Sequence, residues 1–331
     1  MIHAPARLED RHGRVATDLR VSVTDHCDLR CVYCMPEEGL DWLELDEQLS
    51  FDEIERLVSI FVSLGVRTVR LTGGEPLMRP KLTDLVGSLS RLDLDDLSMT
   101  TNATTLGHHA RALAEAGLRR VNISLDTLIR HRFAQMTRRD ALSRVLEGID
   151  AALAAGLTPI KINVVLVDGT NDDEILDFVE FARTTGCDVR FIEDMPLGGG
   201  GAWHPEIVVP SARIVDTISQ RHELVALTRG TAPAAGYAFA DGAPGRIGLI
   251  SSVTEPFCEQ CDRLRLTADG QLRTCLFTHV ETDLRAPMRA GALDDELAAL
   301  IVAAVADKGP GHMIGRVGFE QPVRLMSRIG G

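Results

Sequence analysis

Six of the seven cysteines fall into two groups of three, at spacings that suit metal chemistry better than disulfide bonding. Cys27, Cys31 and Cys34 sit in CDLRCVYC, spaced x3 then x2, and Cys258, Cys261 and Cys275 follow at x2 then x13. A structural zinc ion usually takes four protein ligands, and the first group offers three, with only His26 as an awkward neighbour. A [4Fe-4S] cluster also has four metal corners, so three thiolates would leave one iron open for a small molecule, if the metal is iron. The second group reads in two ways. With His279 it makes a Cys3His zinc site, and without it a second three-cysteine cluster. Arg263 and Arg265 beside Cys261 favour the cluster, because a structural zinc knot has no evident use for them. Cys187 stands alone and reads as a small core hydrophobe.

These groups need a frame to hold them. Six segments rich in β-branched or apolar residues recur at 19–24, 68–73, 97–102, 120–126, 159–167 and 188–194. Helical patterns lie between them: one opening on the capping-box signature SFDE at 50–53, and others near 81–92, 108–116, 138–155 and 172–185. Strand alternating with helix predicts parallel βαβ units. Alternation along each strand then sorts the faces. Val21, Val69, Met99, Ile123, Ile162 and Phe191 share one face with other apolar residues, while Arg20, Arg70, Thr100, Ser124, Lys161 and Arg190 share the other.

A closed eight-stranded barrel fills its interior with Val, Ile and Leu, whereas this interior is polar and largely basic. Four cations facing one cavity repel one another unless an anion sits among them. A solvated polar face is the alternative, but parallel sheets seldom leave a face to water. The expectation is an α/β fold: a partial, six-stranded TIM-like barrel, wide enough for a ligand, with a smaller C-terminal cluster-binding domain. Its expected parts are an N-terminal extension at 1–12, the barrel at 13–225, and a domain for the auxiliary cluster and substrate at 226–331. The glycine-rich MPLGGGGAWHPE after residue 194 marks a change of pattern, and 263–277 reads as a hairpin turning at Ala268-Asp269-Gly270.

Composition narrows the partners. The chain of 331 residues carries a net charge of −13, which argues against general attraction to nucleic acid or an anionic membrane. No apolar run is long enough to cross a bilayer, and the best, LAALIVAAVA at 297–306, reads as a core helix. The first residues lack the layout of a signal peptide, so the expected location is the cytoplasm.

The C-x3-C-x2-C motif after the first strand resembles the radical S-adenosylmethionine (SAM) enzymes, with GGEP at 73–76 similar to their glycine-rich SAM turn. The ordered set DLRVSVTDHC, TGGEPLMRP, NISLD, RFIED, FCEQCDRLRL, CLF and the terminal IGG resembles one family among them, the GTP 3′,8-cyclases of molybdenum-cofactor biosynthesis. The likeness runs from about residue 13 to the end. It implies two [4Fe-4S] clusters, one on Cys27, Cys31 and Cys34 and one on Cys258, Cys261 and Cys275. It also implies SAM contacts at Tyr33, Gly74, Ser124 and Met195, and GTP contacts at Arg20, Arg70, Thr100, Lys161 and Arg263-Leu264-Arg265. Arg190 joins these by its shared face. Arg20, Arg263, Arg265, Gly330 and Gly331 are the expected catalytic group, with the two glycines entering the barrel as a tail. The implied partners are GTP, an electron donor of flavodoxin or ferredoxin type, and a cyclic pyranopterin monophosphate synthase that takes the product onward. The chain itself is expected as a monomer or homodimer.

Several positions depart from the family pattern. His26 replaces an arginine, Asp28 an asparagine, and Thr68 a lysine near the phosphates, while Ala103 stands where TTNG has glycine, suggesting a turn that needs no positive φ. Two rival readings remain: a radical SAM enzyme that modifies peptides, and a zinc-stabilised binding protein without catalysis.

Overall fold

The computed structural model describes residues 7–197, 203–315 and 318–330. The glycine run at 198–201 and Gly331 lie outside the described residues. The six expected strands are β1 (Asp18–Ser22), β2 (Thr68–Thr72), β3 (Asp96–Thr101), β4 (Arg120–Ser124), β5 (Lys161–Leu166) and β6 (Asp188–Glu193). Each pairs in parallel with the next, in sequence order. Their helices are α1 (Phe51–Ser63), α2 (Leu82–Leu89), α3 (Leu106–Glu115), α4 (Arg130–Thr137), α5 (Leu142–Ala154) and α6 (Ile175–Thr185). Ser50 and Glu53 close the expected capping box on α1. Helix α4 was not expected; it ends at Thr137 with Arg138 as its left-handed cap, and the pattern read at 138–155 becomes helix only from Leu142.

The later chain builds α7 (Ser211–Ser219), β7 (Leu224–Ala226), β8 (Ala235–Phe239), β9 (Arg246–Ile250), β10 (Arg263–Leu266), β11 (Gln271–Arg273) and β12 (Thr282–Asp283), then α8 (Arg285–Arg289), α9 (Asp294–Ala306) and α10 (Met326–Ile329). Its strands extend the first sheet: β9 pairs in parallel with β6 at one edge, and β10 pairs in parallel with β1 at the other. Eight parallel strands therefore run side by side, flanked by antiparallel β11-β12 and β8-β7 in a 12-stranded sheet. The turn expected at 268–270 joins β10 to β11, with Gly270 at φ 79°.

The face assignment by alternation holds. Val21, Val69, Met99, Ile123, Ile162 and Phe191 are buried in one continuous core beneath the helices. Phe61 of α1, Leu85 of α2 and Val145 of α5 close that core from outside. In α9, Leu297, Ile301 and Val305 point inward at helical spacing.

Ala103 corrects one expectation, since it does adopt a positive φ, 61°. Its N–H donates to Thr101 Oγ1 at 3.0 Å and its carbonyl accepts from Leu106 N at 3.2 Å, so the hydrogen bonds of the turn hold an alanine where glycine would be easier. Gly148 of α5 lies directly over this turn, and a Cβ there would come within 2.5 Å of the Ala103 carbonyl.

Four buried carboxylates tie the loops at the C-terminal ends of the strands to one another. Glu75, after β2, accepts from Thr101 Oγ1 at 2.7 Å and Asn102 N at 2.6 Å, at the end of β3. Asp126, after β4, accepts from Val165 N at 2.8 Å. Glu174 accepts from Leu128 N at 2.7 Å, and Glu193 from Val253 N at 2.7 Å and Thr254 N at 2.9 Å. Irregular loops with satisfied polar groups make a rigid rim, the end at which parallel α/β barrels place ligands.

Candidate active site

Both cysteine triplets and the basic strand face between them line one cavity of about 290 Å³. Cys27, Cys31 and Cys34 lie on the loop that leaves β1 at the rim, whereas Cys258 and Cys261 flank a single helical turn between β9 and β10, and Cys275 follows β11. The sheet brings the two groups together, because β10 joins the free edge of β1.

Register arranges the cations. Arg20 stands opposite Arg70 on one side and Arg265 on the other, so three neighbouring strands present guanidinium groups in a row. Arg190 and Arg263 complete the cavity's basic lining. Burial, then repulsion from Arg265 and Arg70, holds Arg20 well below the usual arginine range. Burial and Arg70 bring Arg190 to about 10, and burial and Arg263 bring Arg265 to about 10. Groups this crowded gain from an anionic ligand, and guanidinium forks match phosphate oxygens in pairs. Lys161 does not line the cavity. Burial, then the charges of Arg190, Arg120 and Arg70, pushes its ammonium down to about 7.

The expected SAM positions Tyr33, Gly74, Ser124 and Met195 all line the cavity, as does Thr100. Tyr33 donates to Asp126 Oδ2 at 2.6 Å, which fixes the aromatic ring inside the first cysteine loop. Gly73 and Gly74 run so close to residues 24–26 that a Cβ on either would collide with their carbonyls. Gly74 N donates to Thr24 O at 2.9 Å and Glu75 N to His26 O at 2.7 Å. The glycine pair thus presses the second loop flush against the chain entering Cys27.

Leu264 differs from its neighbours: its side chain is buried in the apolar core, on the opposite face from Arg263 and Arg265. Gly330 lies inside the barrel, where its carbonyl accepts from Arg265 and a Cβ would strike Ser22 and Thr72. Its φ of 82° also favours glycine.

The thiols have the chemistry of metal ligands. Burial, then the charge of Glu75, raises Cys27 to about 12, and burial with mutual repulsion raises Cys31 and Cys34 as well. A bound cation reverses that balance, since metal takes the place of the proton. In the second triplet burial opposes ionisation of Cys261, but Arg263 and Lys308 outweigh it and bring the thiol down to about 7. Arg263 donates to Cys261 Sγ at 3.5 Å and stacks 4.8 Å from the Phe257 ring centroid. Each triplet thus offers three thiols to the cavity, the donor set of an iron-sulfur cluster, although among the described residues no group of three or more His, Cys, Asp or Glu is arranged to hold a single metal ion. His279, needed for a Cys3His zinc ion, instead meets the Glu320 carbonyl at 3.3 Å and is absent from the cavity lining.

Sequence reading passed over several residues around the cavity. Phe257 and His312 line it, and Lys308 and Arg14 bind the loop of the second triplet from behind. A lysine after α9 and an arginine near the start of the chain carry no local pattern that points to this loop. Their placement follows from long-range packing.

Comparison with known proteins agrees with this geometry. Residues 21–182 match the radical SAM superfamily, and residues 187–314 match the family described as Molybdenum Cofactor Synthesis C. A GTP 3′,8-cyclase of Streptomyces coelicolor is 51% identical over 329 residues, covering 98% of this chain and 96% of the relative. One of Corynebacterium glutamicum is 48% identical, covering 98% and 89%. Among solved structures, Streptococcus suis SuiB superposes with a TM-score of 0.59 at 16% identity, over 90% of this chain and 67% of that one, a likeness of fold alone. At half identity along almost its whole length, with both family models matched in order, the chain belongs to the GTP 3′,8-cyclase family of the radical SAM superfamily.

Proposed function

We propose that this chain cyclises GTP, joining C3′ of the ribose to C8 of guanine to give (8S)-3′,8-cyclo-7,8-dihydroguanosine 5′-triphosphate, the first step of molybdenum-cofactor biosynthesis. The observation that carries the reading is the single cavity shared by two thiol triplets and a row of buried arginines. Cys27, Cys31 and Cys34 would hold a [4Fe-4S] cluster, which together with SAM would supply the radical chemistry for hydrogen abstraction from C3′.

The chain's own residues position and shield. Arg20, Arg70, Arg190 and Arg265 form a preorganised cationic wall for a triphosphate, and the anion would favour the charged form of the nearby Lys161, whose ammonium the arginines otherwise depress. Tyr33, held by Asp126, and the backbone at Gly74 bound the SAM side, with Ser124 and Met195 on the same lining. Cys258, Cys261 and Cys275 would hold a second [4Fe-4S] cluster, which would supply an open iron for the guanine base, and Arg263 keeps its charge against Cys261. Gly330 brings backbone beside Arg265 at the depth of Ser22 and Thr72, which supports a tail that packs against substrate and excludes water. Residues 13–225 would thus carry the radical SAM site and most of the phosphate wall, and residues 226–331 the second triplet with Arg263 and Arg265, their strands sharing one sheet. Electrons come from a flavodoxin- or ferredoxin-type donor, and the product goes to a cyclic pyranopterin monophosphate synthase. Among the described residues no helix is long and apolar enough to cross a membrane.

Equilibrium binding of GTP tests the cationic wall apart from catalysis. Arg70→Ala is expected to weaken GTP binding at least tenfold, about 1.4 kcal/mol, while leaving guanosine binding unchanged. Equal loss for both ligands would remove the wall's assignment to phosphate.

A further inference from the structure

Lys308 is almost fully buried, at 3% exposure, and follows α9 at the start of a short turn. Its ammonium donates to the carbonyls of Cys261 at 2.9 Å and Arg263 at 3.0 Å, and lies 3.7 Å from Cys261 Sγ. Among the described residues its ammonium meets only Cys261 and Arg263, where the loop of the second triplet enters β10, and no carboxylate. A second cation backs the same loop. Arg14 donates to the carbonyls of Cys258 at 2.9 Å, Pro310 at 3.0 Å and Gly309 at 2.6 Å, and its Nε is held by Asp10 at 2.6 Å. Arg14 and Asp10 are both buried, so a strap from the start of the chain and the turn after α9 close on one loop.

Burying a lysine against carbonyls and a sulfur is costly unless an anion compensates it. A thiolate-ligated iron-sulfur cluster is such an anion, and hydrogen bonds and charge near its sulfurs set its potential. We propose that Lys308 is a positioning residue for the second cluster: it fixes the Cys261–Arg263 backbone and places a fixed positive charge beside the Cys261 sulfur, favouring the reduced state. The Asp10–Arg14 pair holds the turn that carries Lys308, and so acts on the cluster at one remove.

This inference rests on the second cluster assigned above, and its test separates the two. In anaerobically reconstituted protein carrying Cys27→Ala, Cys31→Ala and Cys34→Ala, only the second triplet remains to bind iron, and its potential can be read by EPR-monitored titration. Lys308→Met is expected to keep about four irons per chain. It should lower the ratio of reduced to oxidised cluster about tenfold at a fixed poise, a shift of about 59 mV to lower potential for one electron. Lys308→Arg, which keeps the charge, should restore most of that ratio, and Arg14→Met should broaden the signal with a smaller shift. A potential in Lys308→Met equal to the parent's, with iron retained, overturns the role of Lys308 alone. If Lys308→Met loses its iron, failure of Lys308→Arg to recover both iron and potential overturns it equally. A parent that binds no cluster overturns the second-cluster reading, and the inference with it.

Discussion

Cys31 sits in the middle of the first triplet, where burial, then Cys34, raises its thiol. Replacing it with alanine removes a ligand that water cannot match. Cys31→Ala is expected to lose about four irons per chain and all reductive SAM cleavage, measured as 5′-deoxyadenosine by chromatography. Cys275→Ala should behave otherwise, because it touches only the second triplet. It should keep SAM cleavage and lose cyclised product, and equal turnover with the parent would make that triplet dispensable. These residues were legible in sequence because cysteine chemistry depends on spacing. The inward arginines were legible because alternation along a strand is strict. Lys308 and Arg14 were not, since each reaches the loop of the second triplet through contacts between residues far apart in the chain.

At the scale of elements, the site depends on loops held by buried carboxylates and by close backbone approach. Glu75 is raised to about 7, chiefly by burial, against the bonds it accepts from Asn102, Thr101 and Leu77. Its folded value lies above the ordinary one near 4.3, so its protonated form favours the fold below about pH 4, and that contribution fades as pH rises through 7. Urea unfolding between pH 4 and 8 should show this slope in the parent and a shallower one in Glu75→Gln, where Asp126 and Asp194, each raised to about 6, still contribute. A parallel slope in both proteins would place the titration elsewhere. Gly148→Ala should cost more than about 2 kcal/mol in the same assay, because its Cβ meets the Ala103 carbonyl. Ala103→Gly should change stability by less than about 1 kcal/mol, since relief of the positive φ is offset by a freer unfolded chain and a lost methyl. Ala103 also shows why the turn was misread: hydrogen bonds from the end of β3 to the start of α3 override the local preference of alanine.

For the whole molecule, six parallel strands and their helices could be read from the alternation of short patterns. The joining of β9 to β6 and of β10 to β1 could not, because nothing in a five-residue strand names a partner far away in sequence. That joining is what makes one cavity of two cysteine groups. The most direct test incubates the reconstituted protein anaerobically with reductant, SAM and GTP, and quantifies 5′-deoxyadenosine and cyclised nucleotide together. GTP-dependent formation of both in equal amounts is the expected result. Cleavage of SAM at the same rate without GTP, and no cyclised nucleotide with it, would contradict the account.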